Sequence, residues 1–258
     1  KLTQGNDYLS PNFELIVDDI LEQDQRQKLN SFIKIWLNDK INFVLKSLFD
    51  LKNLKDKHSS IKALAYQLYE NNGVIIRENV SEYLKNLGQN ERKILRDLGV
   101  KFGRYHVFLH KLIKPEPVIL RTLLWKNYHQ KFFKLNPPTF GLNFIDDKEK
   151  RNKNFMLLCG FEKFDNFYIR IDILERLFMQ IIKSNSKKEI KMVPEMLNLL
   201  GCNKENFKKL LSEMGYKIIL RDNEIFFKYS PKKNIKKNFS KKITKENPFE
   251  VLKNISFN

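Results

Sequence analysis

Apolar residues recur at steps of three and four along the first half of the chain, the spacing that places side chains on one face of an α-helix. The clearest run extends from about Asp24 to Leu54 and predicts one long helix. Its apolar side chains should form a core face, and nothing on that face indicates a binding site. The residues of this stripe are Leu29, Phe32, Ile33, Trp36, Leu37, Ile41, Val44, Leu45 and Leu48.

Shorter helical patterns follow this run, at residues 61–69, 77–87, 91–98 and 117–125. A short alternating segment around Phe13 predicts a strand before the first helix. The connections between the helical patterns are short, which is typical of antiparallel neighbours. The pattern therefore predicts an all-helical first half, at about residues 18–133, preceded by one strand.

The helical pattern breaks from Asn136 to Lys153, where Pro137, Pro138 and Gly141 interrupt it. After the break the order is a helix, a short strand, a helix, a turn, a helix and a β-hairpin. Asp172 and Glu175 have the spacing of a reciprocal cap at the start of the first of these helices. This order is typical of a winged helix, and a generic small α+β module is the alternative.

These patterns predict a mainly α fold, a helical bundle followed by a small α+β winged-helix-like module and a basic tail. Residues 1–135 form a helical accessory domain with an N-terminal strand, and residues 136–154 form a linker. Residues 155–230 form the winged-helix-like module. Residues 231–258 form a Lys-rich tail that we expect to be flexible, because like charges repel.

The composition is that of a folded protein, with 42% hydrophobic residues among 258, but the net charge is +18. Such an excess favours nucleic acid as the partner. No apolar run approaches the roughly 18 residues that a membrane span needs. The two cysteines, Cys159 and Cys202, have no companions at metal-ligand spacing and indicate a reducing, cytoplasmic location. Because the chain begins at Lys1 close to a strand, we expect it to be the downstream piece of a longer protein.

The sequence contains no recognisable catalytic motif: no GxxxxGK[ST] phosphate loop, no GxSxG turn and no HExxH zinc motif. His106 and His110 are four residues apart and would share a face if they lay on a helix. No carboxylate completes a metal site there, and many cations surround the pair. The sequence thus predicts neither a catalytic residue nor a metal or cofactor site in this chain.

Candidate binding residues concentrate between Glu91 and Lys134, which hold eleven Lys or Arg against three acidic residues. Aromatic residues such as Phe102 and Tyr105 are interleaved with these cations. One interpretation is a buried helix–turn–helix with solvated cations, and the other is a surface that contacts phosphates and stacks on bases. The residues predicted to contact phosphate are Arg92, Lys93, Arg96, Lys101 and Arg104, with Lys204, Lys208 and Lys209 on the last helix before the hairpin.

The run RKILRDLGVKFGRYHVFLHKLIKPEPVILRTLLW, at residues 92–125, resembles the region after the motor core in bacterial DExH-box helicases. These helicases are relatives of the mitochondrial degradosome RNA helicase. GNDYLSPNFELIVDD at residues 5–19, IRIDILERL at 169–177 and MLNLLGCNKENFKKLLSEMGYK at 196–217 resemble other parts of the same region. The resemblance covers roughly residues 1–220 and leaves out the Lys-rich tail.

This resemblance implies the non-motor, C-terminal part of an ATP-dependent RNA helicase. It would bind or guide single-stranded RNA or DNA beside its own upstream RecA-like core, with an RNA-degradation partner as a further candidate. ATP and magnesium would belong to that core, whose motifs are missing here, so no catalytic residue is carried over.

Two alternatives come from other classes. One is a stand-alone winged-helix nucleic-acid-binding or ribosome-associated module without enzymatic activity. The other is a protein–protein docking domain whose charge is incidental.

Overall fold

The computed structural model describes residues 1–16, 22–54, 59–130, 134–148, 150–183, 189–222 and 224–230. The predicted tail, residues 231–258, lies outside them. The described chain is rich in α-helix. Its helices are α1 (Gln23–Val44), α2 (Lys46–Lys52), α3 (Ser59–Glu70), α4 (Ser81–Lys85), α5 (Gln89–Asp97), α6 (Pro115–Tyr128), α7 (Lys153–Leu158), α8 (Ile171–Lys183), α9 (Pro194–Leu200) and α10 (Lys204–Glu213). None of them is both long and apolar enough to cross a lipid bilayer.

The strands are short: β1 (Leu2–Thr3), β2 (Asn12–Phe13), β3 (Val74–Ile76), β4 (Val100–Phe102), β5 (His106–Leu109), β6 (Phe144–Asp146), β7 (Phe161–Phe164), β8 (Phe167–Arg170), β9 (Ile190–Lys191), β10 (Tyr216–Arg221) and β11 (Glu224–Tyr229). They pair antiparallel in four small sheets, ordered β1-β2, β3-β5-β4, β6-β8-β7 and β10-β11-β9. The fold is therefore a mixed, α-rich one.

The long first helix predicted by the apolar stripe is broken in two. Leu45 leaves the helical conformation, with φ −100° and ψ 19°, and the chain restarts as α2. The break brings Leu45, Leu48 and Leu51 into the core of the first half. The prediction that the whole stripe is buried is wrong, because Phe32 and Trp36 are 66% and 56% exposed. Spacing identifies an apolar face but not whether a partner covers it.

The expectation of an all-helical first half is also wrong, because β3, β5 and β4 form a sheet there. All four residues of β5 are buried, so the strand lacks the polar–apolar alternation that would have marked it. The predicted helix at residues 77–87 is a 3₁₀ turn, Arg77–Val80, followed by the short α4. Strands of three or four residues are too short to show a period.

The second half has the predicted succession of elements, α8, β9, α9, α10, β10 and β11. Gly201 ends α9 with a left-handed φ of +71°, a conformation that costs glycine little. The side chain of Asn203 caps α10 by accepting the Asn206 N–H at 2.8 Å. β9 has only two residues and pairs with β11.

One buried arginine joins the two halves of the chain. Arg121 of α6 has no exposed surface, and its guanidinium donates to the carbonyl oxygens of Asn72 at 2.8 Å, Leu112 at 2.6 Å and Leu158 at 2.9 Å. Burial lowers the pKa of Arg121 to about 10. Its three acceptors come from the α3–β3 turn, the 3₁₀ turn before α6 and the last turn of α7, so one side chain fixes three segments.

Candidate nucleic-acid interface

The turn between β4 and β5 carries Arg104 and is held from the other half of the chain. Glu175 of α8 is buried, and its carboxylate accepts the backbone N–H groups of Arg104, Tyr105 at 2.8 Å and His106 at 2.7 Å. A Cβ atom at Gly103 would overlap this carboxylate, so the close approach needs glycine. The predicted cap between Asp172 and Glu175 is absent: Asp172 instead binds the Arg170 guanidinium at 2.7 Å.

His106 lies between two carboxylates. Its Nδ1 is 3.0 Å from Glu175 Oε1, and its Nε2 is 3.2 Å from Glu162 Oε2. Burial by itself lowers the pKa of His106, but the hydrogen bonds to Glu162 and Glu175 outweigh it and the pKa is raised. The protonated ring can donate from both nitrogens, so it links β5 to β7 and α8.

The histidine pair does not share a helix face. His106 belongs to β5 and His110 begins the following 3₁₀ turn. Among the described residues, no group of His, Cys, Asp and Glu side chains is placed to hold a metal ion.

Arg104 lies between two tyrosine rings from different halves. Its guanidinium carbon is 5.7 Å from the ring centroid of Tyr105 and 5.6 Å from that of Tyr229, at the end of β11. One guanidinium N–H also donates to the Tyr229 hydroxyl, at 3.4 Å. Tyr105 is fixed in turn by an edge-on contact with Phe178 of α8, 4.7 Å between centroids. The exposed guanidinium of Arg104 therefore makes cation–π contacts with both tyrosine rings.

A cleft of about 780 Å³ opens beside Arg104, between the β4–β5 turn and the second half. Its walls combine charged, aromatic and apolar side chains. Three cations line it, Arg77, Arg104 and Lys163, and three carboxylates, Glu78, Glu162 and Glu213. Lys163 is paired with Asp147 at 2.9 Å, and His106 also lines the cleft.

The cations of α5 extend this surface but differ in what they contact. Arg92 donates to the backbone oxygens of Leu84 at 2.7 Å and Leu87 at 3.2 Å, closing the end of α4. Arg96 lies over the ring of Phe102, 5.9 Å from its centroid, and Lys93 is exposed.

A group of cations meets beside the cleft. Burial lowers the pKa of Arg77, and the charges of Arg92 and Arg104 lower it further, so both lie near Arg77. The Arg77 guanidinium donates to the Gly103 oxygen at 2.6 Å. Positive charge concentrated in this way attracts a polyanion.

Lys101 lies on β4, near His110. Successive residues of a strand point to opposite sides, so Lys101 and Phe102 face different ways. The pKa of His110 is lowered mainly by burial, with Lys114 and Lys101 as the nearby cations that lower it further.

The lysines of α10 lead toward the cleft. Residues four apart lie on one side of a helix, so Lys204, Lys208 and Ser212 form a row, and Ser212 lines the cleft. Lys209 is one turn before Glu213, which also lines the cleft. Lys204 and Lys209 are exposed, and Lys208 is half-buried.

Three residues of this interface were not predicted from the sequence: Arg77, Glu175 and Tyr229. Arg77 begins a short helical turn outside the basic stretch, and Tyr229 lies 125 residues beyond Arg104. Of these three residues, only Tyr229 could have been suspected from the sequence, because it is an aromatic residue that follows the predicted hairpin.

No protein-family model, curated protein or solved structure matches this chain.

Proposed function

We propose that this chain binds single-stranded nucleic acid, as the non-motor part of an ATP-dependent RNA helicase. The observation that carries the proposal is the group formed by Arg77, Arg92 and Arg104 beside the Tyr105 and Tyr229 rings. Cations supply affinity for the phosphates of any sequence, and exposed planar groups suit unpaired bases. The net charge of +18 supports the same partner.

The strand would cross both halves of the molecule. On the first half it would meet Lys93 and Arg96 of α5 and then Arg104. On the second half it would follow the row of Lys204 and Lys208 along α10. The element order of α8 to β11, with the sheet β10-β11-β9, supports a winged-helix-like module whose last helix faces the strand.

The helicase part of the proposal rests on the resemblance of residues 92–125 and the flanking segments. In that protein ATP and magnesium would act in an upstream RecA-like core, in the cytoplasm. The chain described here would keep hold of the strand while the core moves along it, so its contribution is binding rather than hydrolysis.

Fluorescence anisotropy with a labelled single-stranded RNA, measured over a range of salt concentrations, tests the binding. We expect the affinity to fall steeply with salt, with a log–log slope of about −0.7 for each phosphate contact. The double variant Arg96→Glu, Arg104→Glu should weaken binding at least about tenfold and make the slope shallower.

A matched control changes the net charge equally elsewhere, with Lys28→Glu on α1 and Lys62→Glu on α3, both exposed positions. If both double variants weaken binding to the same extent, the surface around Arg104 is not the site. An affinity that ignores salt would remove the proposal.

A further inference from the structure

The cleft beside Arg104 has features that a simple phosphate-binding surface does not need. Its volume of about 780 Å³ lies within the roughly 300–1,000 Å³ of ligand pockets. It is lined by the exposed Arg104 and also by the buried His106 and Glu162. Its volume is sufficient for one planar base of a bound strand.

The charge of the cleft argues against phosphate as its occupant. Its lining combines three Arg or Lys side chains with three carboxylates. Several of these groups have other partners: Glu162 binds His106, and Lys163 binds Asp147. Arg77 donates to the Gly103 oxygen. Glu78, which follows Arg77 on the same 3₁₀ turn, and Glu213 of α10 also line the cleft. Carboxylates repel a phosphate, so the inside of the cleft is less favourable for a phosphate than the exposed surface at Arg104.

A nucleobase fits both walls. Unpaired bases stack on aromatic rings and on guanidinium planes, and Arg104 over Tyr229 offers both. Carboxylates accept hydrogen bonds from the exocyclic amino group of cytosine. Ser212 lies one residue from Glu213 and adds a hydroxyl that both donates and accepts.

We infer that this cleft receives one unpaired, amino-bearing base of the strand, which stacks on Arg104 and Tyr229 while Glu213 accepts from its amino group. This inference rests on the proposed function, because the base arrives on a strand held by the surrounding cations. Uracil lacks an exocyclic amino group, so it binds the cleft less well than cytosine does.

The experiment compares three strands of equal length by anisotropy at one salt concentration: oligocytidine, oligouridine and an abasic strand with the same phosphates. The expected order is cytidine, then uridine, then abasic. The cytidine strand should bind about 5- to 150-fold more tightly than the abasic one, the range reported for stacking of one base. All three should share the same salt slope, because their phosphate contacts are the same.

Two variants locate the effect. Tyr229→Leu should remove most of the difference between the cytidine and abasic strands, whereas Tyr229→Phe, which keeps the ring, should preserve it. Glu213→Gln, at an exposed position near the end of α10, should bring cytidine and uridine to similar affinities and leave abasic binding unchanged.

If the abasic strand binds as tightly as the cytidine strand with a steep salt slope, the base site does not exist and the proposed function stands. If no strand binds at low salt, both are overturned. Equal binding of all three strands by the wild type and by Tyr229→Leu likewise contradicts the base site.

Discussion

The carboxylate of Glu175 accepts the backbone N–H of Tyr105 at 2.8 Å, although 70 residues separate them in the sequence. The same carboxylate accepts the N–H groups of Arg104 and His106. The position of Arg104, the exposed cation at the centre of the proposed interface, is therefore set by a helix of the other half. Binding of a strand and packing of the two halves are linked through this one side chain.

Gly103→Ala tests that link. The new Cβ would overlap the Glu175 carboxylate, which must then move away from its three N–H donors. We expect the free energy of unfolding to fall by about 2–4 kcal/mol through overpacking and lost hydrogen bonds. Affinity for single-stranded RNA should fall as well, because Arg104 is displaced. Urea unfolding and anisotropy measure the two effects.

Gly99→Ala is the matched control. Gly99 has a φ of +94°, and no atom lies within 4 Å of a Cβ built there. We expect only the cost of a left-handed alanine, about 1–2 kcal/mol, and no change in RNA affinity. A loss of RNA affinity in Gly99→Ala equal to that in Gly103→Ala would contradict the role given to Glu175.

Stability should depend on pH through His106. Its pKa is raised in the folded protein above the ordinary 6.5, so the folded state holds this proton more tightly than the unfolded chain does. The stabilisation is fully present below about pH 6.5 and is lost as the pH rises through the raised pKa. We expect the free energy of unfolding to decline as the pH rises above about 6.5, measured by urea unfolding.

His106→Gln isolates this contribution, because glutamine does not titrate. The variant should be less stable than the wild type near pH 6, and the gap should narrow as the pH rises. His110 has a lowered pKa and acts in the opposite direction, but it is present in both proteins and cancels in the difference. A gap that is constant with pH would show that the pKa of His106 is the same in the folded and the unfolded protein.

Arg121→Met should be among the most destabilising single substitutions in this chain. Methionine fills much of the volume but leaves the carbonyls of Asn72, Leu112 and Leu158 without their donor. We expect a loss of about 3–5 kcal/mol in the free energy of unfolding, as when one partner of a buried charged group is removed. Arg176→Met, at an exposed position on α8, should change it by less than about 0.5 kcal/mol.

A buried and an exposed side chain of the apolar stripe should respond differently to truncation. Leu48→Ala creates a cavity at a fully buried site and should cost about 2–5 kcal/mol. Trp36→Ser, at a side chain that is 56% exposed, should cost less than about 1 kcal/mol. Thermal unfolding of the two variants measures this contrast, and similar losses would mean that Trp36 is covered in solution.

The sequence predicted those parts of the fold that repeat a period over several turns. Helix α8 and the β10–β11 hairpin appear in the predicted order of elements. Gly201 and Asn203 form helix ends through local chemistry. The sheet of β3, β5 and β4 was missed because its strands are short and β5 is buried on both sides. Sequence patterns predict an element when the residues that stabilise it are close to it in the sequence.

The candidate interface was predicted only in part for the same reason. Arg96 and Arg104 were identified from the basic stretch, but their neighbour Arg77 comes from a different segment. Glu175 was assigned to a helix cap because its spacing from Asp172 fits one, whereas its real partners are backbone N–H groups. Every residue except proline has a backbone N–H, so no sequence pattern distinguishes the three N–H groups that Glu175 binds.

The three acceptors of Arg121 also bear on limited proteolysis. A protease cut within residues 136–154 would leave Leu158 on one fragment and Arg121, with its other acceptors Asn72 and Leu112, on the other. Neither fragment could then satisfy its buried polar groups alone. The nicked protein is expected to migrate as one species in gel filtration and to come apart only in denaturant.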